Sequence, residues 1–222
     1  MTRRMVILVA LLAMVGVAAA SAFDPDTLNK VTFKNSTGAK LKYIFLSPGD
    51  STYWGPDLIG ADYVMKDNTS LGFYVDYPDT SYKFDIMAID ENGNSYEIYN
   101  YEVKDAKEPT IAFTKKNLTS SNADFADSDI ANLKVTNNTG KEIEYLFVSP
   151  EDTTAWGADM LDEDTTLADG DSYNLAIPAT KDVIKYYLMA ADENNDEYQF
   201  SFTLNPAKSM DYSFSVDPSD KQ

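Results

Sequence analysis

The sequence predicts an all-β protein with two tandem immunoglobulin-like antiparallel β-sandwich domains after an N-terminal signal peptide. Three observations lead to this prediction: an apolar leader, an internal duplication and a hydrophobic period of two residues. The expected boundaries are 1–22 for the signal peptide, 23–115 for the first repeat, 116–132 for a linker and 133–222 for the second repeat.

The leader has the features of a cleavable export signal. Arg3 and Arg4 precede an apolar run over residues 5–20, and the sequence ASA at 20–22 is a small-x-small cleavage pattern. An uncleaved anchor is the alternative, but the run is shorter than the roughly 20 residues that span a bilayer as a helix. We therefore expect a periplasmic or secreted protein whose mature chain has no integral membrane span.

The rest of the chain is a tandem duplication. Residues 33–59 match residues 135–161 at 12 of 27 positions, and "YIFLSPGDSTYWG" (43–55) returns as "YLFVSPEDTTAWG" (145–157). Because this period is too long for a solenoid repeat, each copy is expected to be a domain with its own core.

Alternating apolar and polar residues predict the strands. The pattern is clearest in "YQFSFTL" (198–204) and "MDYSFSV" (210–216), and it is typical of strands with one buried face. Turn sequences separate the strands, such as Asn-x-Thr-Gly at 35–38 and 137–140 and Asn-Gly at 92–93. The strands predicted for the first copy are 31–35, 40–47, 63–66, 70–76, 82–89, 95–103 and 109–114. This number of short strands favours a sandwich, with a barrel as the alternative.

Composition excludes several kinds of function. The chain has 18 Lys and Arg against 36 Asp and Glu, and loss of Arg3 and Arg4 with the leader takes the net charge from −18 to −20. We expect no nucleic-acid partner, because phosphate binding needs clustered Lys and Arg. The sequence has no His and no Cys, which excludes disulfides, Ser-His-Asp and Cys-His nucleophiles, and imidazole or thiolate metal sites. Carboxylate chemistry and oxygen-ligated cations remain.

The loop after each Ser-Pro sequence carries a candidate calcium site. It places Asp50 and Asp57 in the first copy, and Asp152 and Asp159 in the second, close to matched hydroxyl residues. Carboxylate and hydroxyl oxygens are calcium ligands, and calcium is the one cofactor that the sequence suggests. The alternative interpretation is that these residues cap local turns by accepting backbone N–H groups.

A second candidate calcium site is the acidic hairpin "DENGN" (90–94) with its copy "DENND" (192–196). The candidate ligands occupy positions 1, 3 and 5 of an EF-hand-like run: Asp90, Asn92, Asn94, Asp192, Asn194 and Asp196. The likeness ends there, because position 12 is Tyr101 or Thr203 instead of Glu. A plain hairpin turn is the alternative interpretation.

Trp54 and Trp156 occupy the same position in the two copies and are candidate ligand-binding residues. An exposed Trp can stack on a sugar ring. Against this, Tyr53 beside the first Trp becomes Ala155 in the second copy, so an aromatic pair is not repeated. The alternative is that each Trp packs into the core, with the following Gly letting the backbone lie close.

Four motifs recur in the two copies: an Asn-Thr-Gly turn, a Tyr-rich strand ending in Ser-Pro, a Trp-Gly-x-Asp loop and an acidic hairpin before a Tyr strand. In "NSTGAKLKYIFLSPGDSTYWGPDLIG" and "FDIMAIDENGNSYEI" this pattern resembles a type of small exported bacterial β-domain that occurs singly or in tandem. The resemblance covers roughly 31–103 and 133–204. It implies an exported β-domain and implies no activity or site.

The sequence therefore predicts an exported, non-enzymatic binding or envelope-associated structural protein with an unidentified protein or glycan partner. A calcium-dependent or carbohydrate-binding module is the nearest alternative. A carboxylate-dependent hydrolase is the alternative from another class, but the sequence marks out no pair of acids and we predict no catalytic residue.

Overall fold

The computed structural model describes residues 23–60, 63–77, 83–102, 108–121, 127–179 and 182–222, so the predicted signal peptide lies outside the described residues. The described residues form β-strands and four short 3-10 helices. None of their helices has the length and apolar character needed to cross a membrane. The predicted all-β sandwich class is confirmed.

The first repeat contains β1 (Asn29–Ser36), β2 (Leu41–Pro48), β3 (Ser70–Asp76), β4 (Lys83–Asp90), β5 (Asn94–Glu102), β6 (Thr110–Thr114) and β7 (Leu118–Ser121). These strands form two sheets with the orders β3-β1-β6 and β2-β4-β5-β7. Neighbouring strands are antiparallel except β1 and β6, which are parallel. The apolar alternation does not predict this exception, because it is the same for either strand direction.

The second repeat contains β8 (Ile130–Asn137), β9 (Ile143–Pro150), β10 (Gly157–Ala158), β11 (Ser172–Pro178), β12 (Ile184–Asp192), β13 (Glu197–Leu204) and β14 (Asp211–Val216). Its sheets have the orders β11-β8-β14 and β13-β12-β9, and β8 and β14 repeat the parallel pairing of β1 and β6. The short strand β10 instead joins the first repeat, at the edge of β3.

Two segments differ from the strands expected for the first copy. Residues 63–66 form no strand, because Met65 makes a single bridge to Leu41 and the chain then turns at Asn68, whose φ is +61°. Within residues 116–132, expected to be a linker, β7 pairs with β5 and β8 begins at Ile130. The polar sequence of β7 gives no apolar alternation that would have marked it.

Aromatic residues fill the core of each repeat. In the first, the ring of Phe33 lies 5.8 Å from that of Phe73 and 6.2 Å from that of Phe113. In the second, the ring of Phe202 lies 5.7 Å from that of Tyr186 and 4.8 Å from that of Phe214. One continuous cluster of buried apolar side chains includes residues of both repeats. Burial of this common core joins the two repeats energetically.

The Asn-x-Thr-Gly turns are built on buried asparagines. The side-chain amide of Asn35 donates to the carbonyls of Ala39 (2.8 Å) and Met65 (3.1 Å), and its oxygen accepts from the backbone N–H and hydroxyl of Thr37. Asn137 makes the same four bonds in the second repeat. These side chains add hydrogen bonds to the backbone of the turn, and the Met65 and Leu167 carbonyls also accept the N–H groups of Leu41 and Ile143.

Candidate functional site

The two repeats exchange equivalent loops. The backbone N–H of Asp57 donates to the carbonyl of Ala176 on β11 (2.7 Å), and that of Asp159 donates to the carbonyl of Tyr74 on β3 (2.8 Å). Asp159 and Ala176 stand at the positions of Asp57 and Tyr74 in the other repeat. The contact is therefore reciprocal, as in the isologous interface of a twofold dimer.

The two tryptophans lie beside this exchange, and both are half-buried. Trp54 packs against a cluster that contains Phe45 and Met87 of its own repeat and Ile130 and Ala176 of the other. Trp156 covers a cluster made of Phe147, Met189 and Ala191, which Phe23 and Leu28 of the first repeat also contact. Each indole thus has a packing role and keeps part of its surface in solvent.

Asp57 and Asp159 are buried where these loops contact the opposite repeat. Oδ1 of Asp57 accepts from the backbone N–H groups of Ile44 (2.8 Å) and Ile59 (3.3 Å), while its Oδ2 has no hydrogen-bond partner among the described residues. Oδ1 of Asp159 accepts from Leu146 and Leu161 in the same way. Burial raises the pKa of both carboxyl groups well above the ordinary value, against the effect of these N–H groups.

Asp90 and Asp192 organise the acidic hairpins. The Asp90 carboxylate accepts from the backbone of Asn92 (2.8 Å) and Asn94 (2.9 Å), from the Asn94 amide and from the Tyr96 hydroxyl. Burial alone would raise the pKa of Asp90, but these hydrogen bonds outweigh it and lower the pKa. The carboxylate therefore closes a turn with the donors of its own hairpin.

The second hairpin repeats the backbone and tyrosine hydrogen bonds of the first, but Asp196 stands in place of Asn94, whose amide donates to Asp90. Asp192 accepts from the backbone of Asn194 and Asp196 and from the Tyr198 hydroxyl. The carboxylate of Asp196 pairs with Lys221 at 2.5 Å. Both hairpins have the geometry of the turn interpretation.

Asp50 and Asp152 connect the loops of the two repeats. The Asp152 carboxylate accepts from the Ser51 hydroxyl (2.7 Å) and from the backbone and hydroxyl of Thr52 (2.8 Å each). In the opposite direction, the Thr153 hydroxyl donates to Asp50 (2.6 Å). Burial opposes ionisation of Asp152, but the donors from the first repeat outweigh it and lower its pKa.

The candidate calcium ligands are thus distributed among three separate arrangements in each repeat. Among the described residues, no three acidic side chains converge as a metal site would require. Each of the carboxylates proposed in the loops and hairpins accepts hydrogen bonds from the protein. Calcium binding by these residues stays a prediction.

An open cleft of about 230 Å³ lies beside Trp156 in the second repeat. Its lining consists of an aromatic pair, an amide, three hydroxyl residues and two small apolar residues: Trp156, Tyr187, Gln199, Ser149, Thr153, Thr154, Pro150 and Ala155. The cleft is formed where the loop after β9 folds over the outer face of β12 and β13. It therefore combines apolar ring surface with several neutral hydrogen-bonding groups.

Tyr187 gives the cleft its second aromatic ring. The side chain is 39% exposed, whereas that of the preceding Tyr186 is fully buried, because successive residues of β12 face opposite sides of the sheet. Lys185 fixes the exposed ring: its Nζ lies 4.6 Å from the ring centroid and 3.0 Å from the hydroxyl. Glu151 lies 4.0 Å from the same ammonium group.

The first repeat lacks this combination. Asp85 and Glu97 stand at the positions of Tyr187 and Gln199, and the larger Tyr53 stands at that of Ala155. Tyr187 and Gln199 are not among the site residues predicted from the sequence, because neither lies next to a Trp. The adjacent tyrosines at 186 and 187 were a usable signal, since only one of two neighbours in a strand can face the core.

A larger depression, of about 490 Å³, lies on the outer face of β8, β11 and β14. It is lined mainly by polar side chains such as Asn132, Lys134, Asn174 and Asp211. The one aromatic residue there, Tyr212, donates its hydroxyl to the carbonyl of Ser209. This face offers hydrogen bonds without an aromatic pair, so the Trp156 cleft is the better candidate site.

The chain was compared with known proteins. No protein-family model matches the sequence, and neither does any curated protein. Three solved structures are similar over most of their length. A family 26 carbohydrate-binding module of Amy13K from Eubacterium rectale, in complex with maltoheptaose, is 11% identical with a TM-score of 0.24, over 86% of this chain and 91% of that chain.

The other two structures are equally distant. A candidate adhesin from Bacteroides ovatus is 9% identical with a TM-score of 0.27, over 92% of this chain and 96% of that one. Family 41 carbohydrate-binding modules from streptococcal virulence factors, described as recognising α-glucan, are 10% identical with a TM-score of 0.22, over 86% and 95%. At these values the similarities carry no argument about the function of this chain.

Proposed function

We propose that the chain is an exported, non-enzymatic protein that binds a saccharide in the Trp156 cleft of its second repeat. The observation that carries this proposal is the pairing of half-buried Trp156 with exposed Tyr187 around an open, neutral cleft. A sugar ring presents a C–H face that packs on aromatic rings, and hydroxyls at its edge that bond to amide and hydroxyl groups. Gln199 and Thr154 supply such groups.

The size of the cleft favours a short contact. Its volume of about 230 Å³ is below the roughly 300 to 1,000 Å³ typical of pockets that enclose a drug-sized ligand. An open cleft of this size suits one or two rings of a longer glycan, with the remainder in solvent. The net charge of −20 expected for the mature chain favours a neutral glycan over an anionic one.

The side chains of the cleft also favour binding over catalysis. None of the described residues that line it carries a carboxylate, whereas glycoside hydrolysis needs two carboxyl groups about 5 to 10 Å apart across the bond. The nearby Asp152 is occupied by three donors from the first repeat. The leader at 1–22 and the resemblance to exported bacterial domains support a periplasmic or secreted location, where glycans are accessible.

Titration of residues 23–222 with neutral oligosaccharides, combined with pull-down on insoluble polysaccharides, tests the proposal. We expect Tyr187→Ala and Trp156→Ala to weaken binding at least about tenfold, because each removes one face of the cleft. The duplication provides the matched controls: Trp54→Ala removes the same residue at the same position of the first repeat, and Tyr99→Ala removes a tyrosine that is 56% exposed there.

Equal losses in the control variants and the cleft variants would exclude this cleft as the site. Binding to no saccharide would direct the search to a protein partner. Each titration is run with calcium and with a chelator, so that the calcium-dependent alternative is tested on the same samples.

A further inference from the structure

The cleft of the second repeat rests on side chains of the first. Thr153, which lines the cleft, donates its hydroxyl to the Asp50 carboxylate of the first repeat at 2.6 Å. The same hydroxyl oxygen accepts the backbone N–H of Ala155 at 3.2 Å. A chain of hydrogen bonds therefore runs from Asp50 to the residue that directly precedes Trp156.

Two further contacts hold the same loop. Ser51 and Thr52 of the first repeat place three hydrogen bonds on Asp152, one residue before Thr153. After Trp156, Gly157 and Ala158 pair with Asp76 and Val75 on the edge of β3. The loop from 152 to 158 is thus fixed on both sides of Trp156 by the first repeat, as a short added strand and a carboxylate bridge.

Nothing in the first repeat lines the cleft itself, among the described residues. The first repeat would therefore affect binding by fixing the position of the loop. Ordering a loop before the ligand arrives removes that entropic cost from the binding step and raises affinity without a new contact.

We propose that the first repeat is the positioning half of the saccharide site, with Asp50 as the residue that sets Thr153 and Trp156 in their binding positions. This inference rests on the proposed function for its ligand, but its structural part does not. The structure assigns the two repeats different roles: the second contacts the glycan, and the first holds the contacting loop.

The first test needs no ligand. In a full-length mature chain carrying Trp54→Phe, Trp156 is the single tryptophan, and its acrylamide quenching reports how far the indole is exposed. We expect Asp50→Ala to increase the quenching constant, and Asp50→Asn to leave it close to the parent value, because Asn keeps an acceptor oxygen for Thr153. Asp171→Ala, which removes an exposed acid of the second repeat, is the control for charge.

The second test measures affinity for the saccharide identified above. We expect Asp50→Ala to weaken binding about tenfold, as for the loss of one charge-assisted hydrogen bond, with recovery in Asp50→Asn. Unchanged quenching in Asp50→Ala would overturn the inference whether or not a saccharide binds. If the wild-type chain binds no saccharide, the proposed function is wrong. The quenching result still decides whether Asp50 positions the loop.

Discussion

Two buried acids, Asp57 and Asp159, are the residues at which the two repeats meet. Each is 1% exposed, accepts two backbone N–H groups in its own repeat and donates its own N–H to the other. Their titratable neighbours include Tyr173, Tyr145 and Asp162, which interact with one or both carboxyl groups electrostatically. A carboxyl group in such surroundings is more stable protonated than ionised.

The raised pKa of these two groups, which burial causes, fixes the sign of a pH effect. Below the ordinary value of 3.8 both the folded and unfolded states are protonated. Between the ordinary pKa and the raised pKa of the folded state, the unfolded chain is ionised while the folded chain is still protonated. The free energy of unfolding therefore falls as the pH rises through this interval. At Asp90 and Asp152 hydrogen bonds outweigh burial and lower the pKa. These two groups make the free energy of unfolding rise with pH, but only at pH values below the ordinary pKa.

We therefore expect the urea midpoint to decrease as the pH rises above the ordinary value of 3.8, and to decrease less in Asp57→Asn and Asp159→Asn. Asn keeps the oxygen that accepts the two N–H groups but cannot ionise. A loss of stability that is the same at every pH would not change the slope of the urea midpoint against pH. Asp171→Asn serves as the exposed control for net charge. A wild-type slope in both buried variants would show that these acids do not titrate in this range.

At the scale of the elements, the Asn-x-Thr-Gly turn determines how each repeat begins. Asn35 connects the end of β1 to the carbonyls at 39 and 65, which holds the long connection between β2 and β3 against the start of the repeat. Gly38, with φ of +87°, takes the left-handed conformation that the turn needs. Asn137 and Gly140 repeat this geometry.

We expect Asn35→Ala and Asn137→Ala each to lower the free energy of unfolding by about 3 kcal/mol. The reason is that the turn loses several hydrogen bonds, among them those of the buried Thr37 and Thr139 N–H groups, at roughly 1 to 3 kcal/mol for each group left unpaired. Urea unfolding at neutral pH measures the change. The comparison variant is Asn132→Ala, an exposed asparagine of β8 that bonds to Asp211, for which we expect less than about 1 kcal/mol. Equal effects at 35 and 132 would contradict a structural role for the turn.

The strands were predictable from the sequence because burial of one face imposes a period of two, as in β13 and β14. The turns were predictable because Asn and Gly tolerate positive φ, as at Gly38 and Gly93. The polar strand β7 was not predictable, since it pairs with β5 without an alternation of apolar residues that would mark a buried face. The contact between the loops of the two repeats was also not predicted. An apolar residue such as Ile130 indicates burial, but the sequence does not show which residues cover it.

Of the two rings in the proposed cleft, the sequence marks only Trp156, by its repetition. The other ring, Tyr187, has Asp85 at the same position of the first copy and so gives no repeat signal. The acidic residues recur at matched positions of the sequence, but the hydroxyl and N–H groups that donate to them depend on tertiary contacts such as that of Asp152 with Thr52.

At the scale of the whole molecule, the shared core predicts a single unfolding transition. Apolar residues of both repeats form one buried cluster, so neither repeat can open without exposing the surface that covers the other. We expect calorimetry of residues 23–222 to give equal calorimetric and van't Hoff enthalpies. Phe33→Ala, which removes a buried ring from the first repeat at about 3 to 5 kcal/mol, is expected to lower the temperature of that one transition.

Two separated transitions, with the upper one unchanged in Phe33→Ala, would show that the repeats unfold independently. A comparable change in the second repeat, Phe202→Ala, provides the reciprocal measurement, since Phe202 lies among the core rings there. Both variants are expected to shift the same transition.

The reciprocal contact has a further consequence for how the sequence can change. In an assembly of two identical chains, every substitution occurs on both sides of the axis, so a new ring beside one Trp would also appear beside the other. Covalent fusion of the two copies removes that coupling. The chain keeps the paired residues that both halves need, such as Asp57 and Asp159, while Tyr187 and Asp85 have diverged at one and the same position. Two linked repeats can therefore carry two different surfaces on one symmetric architecture.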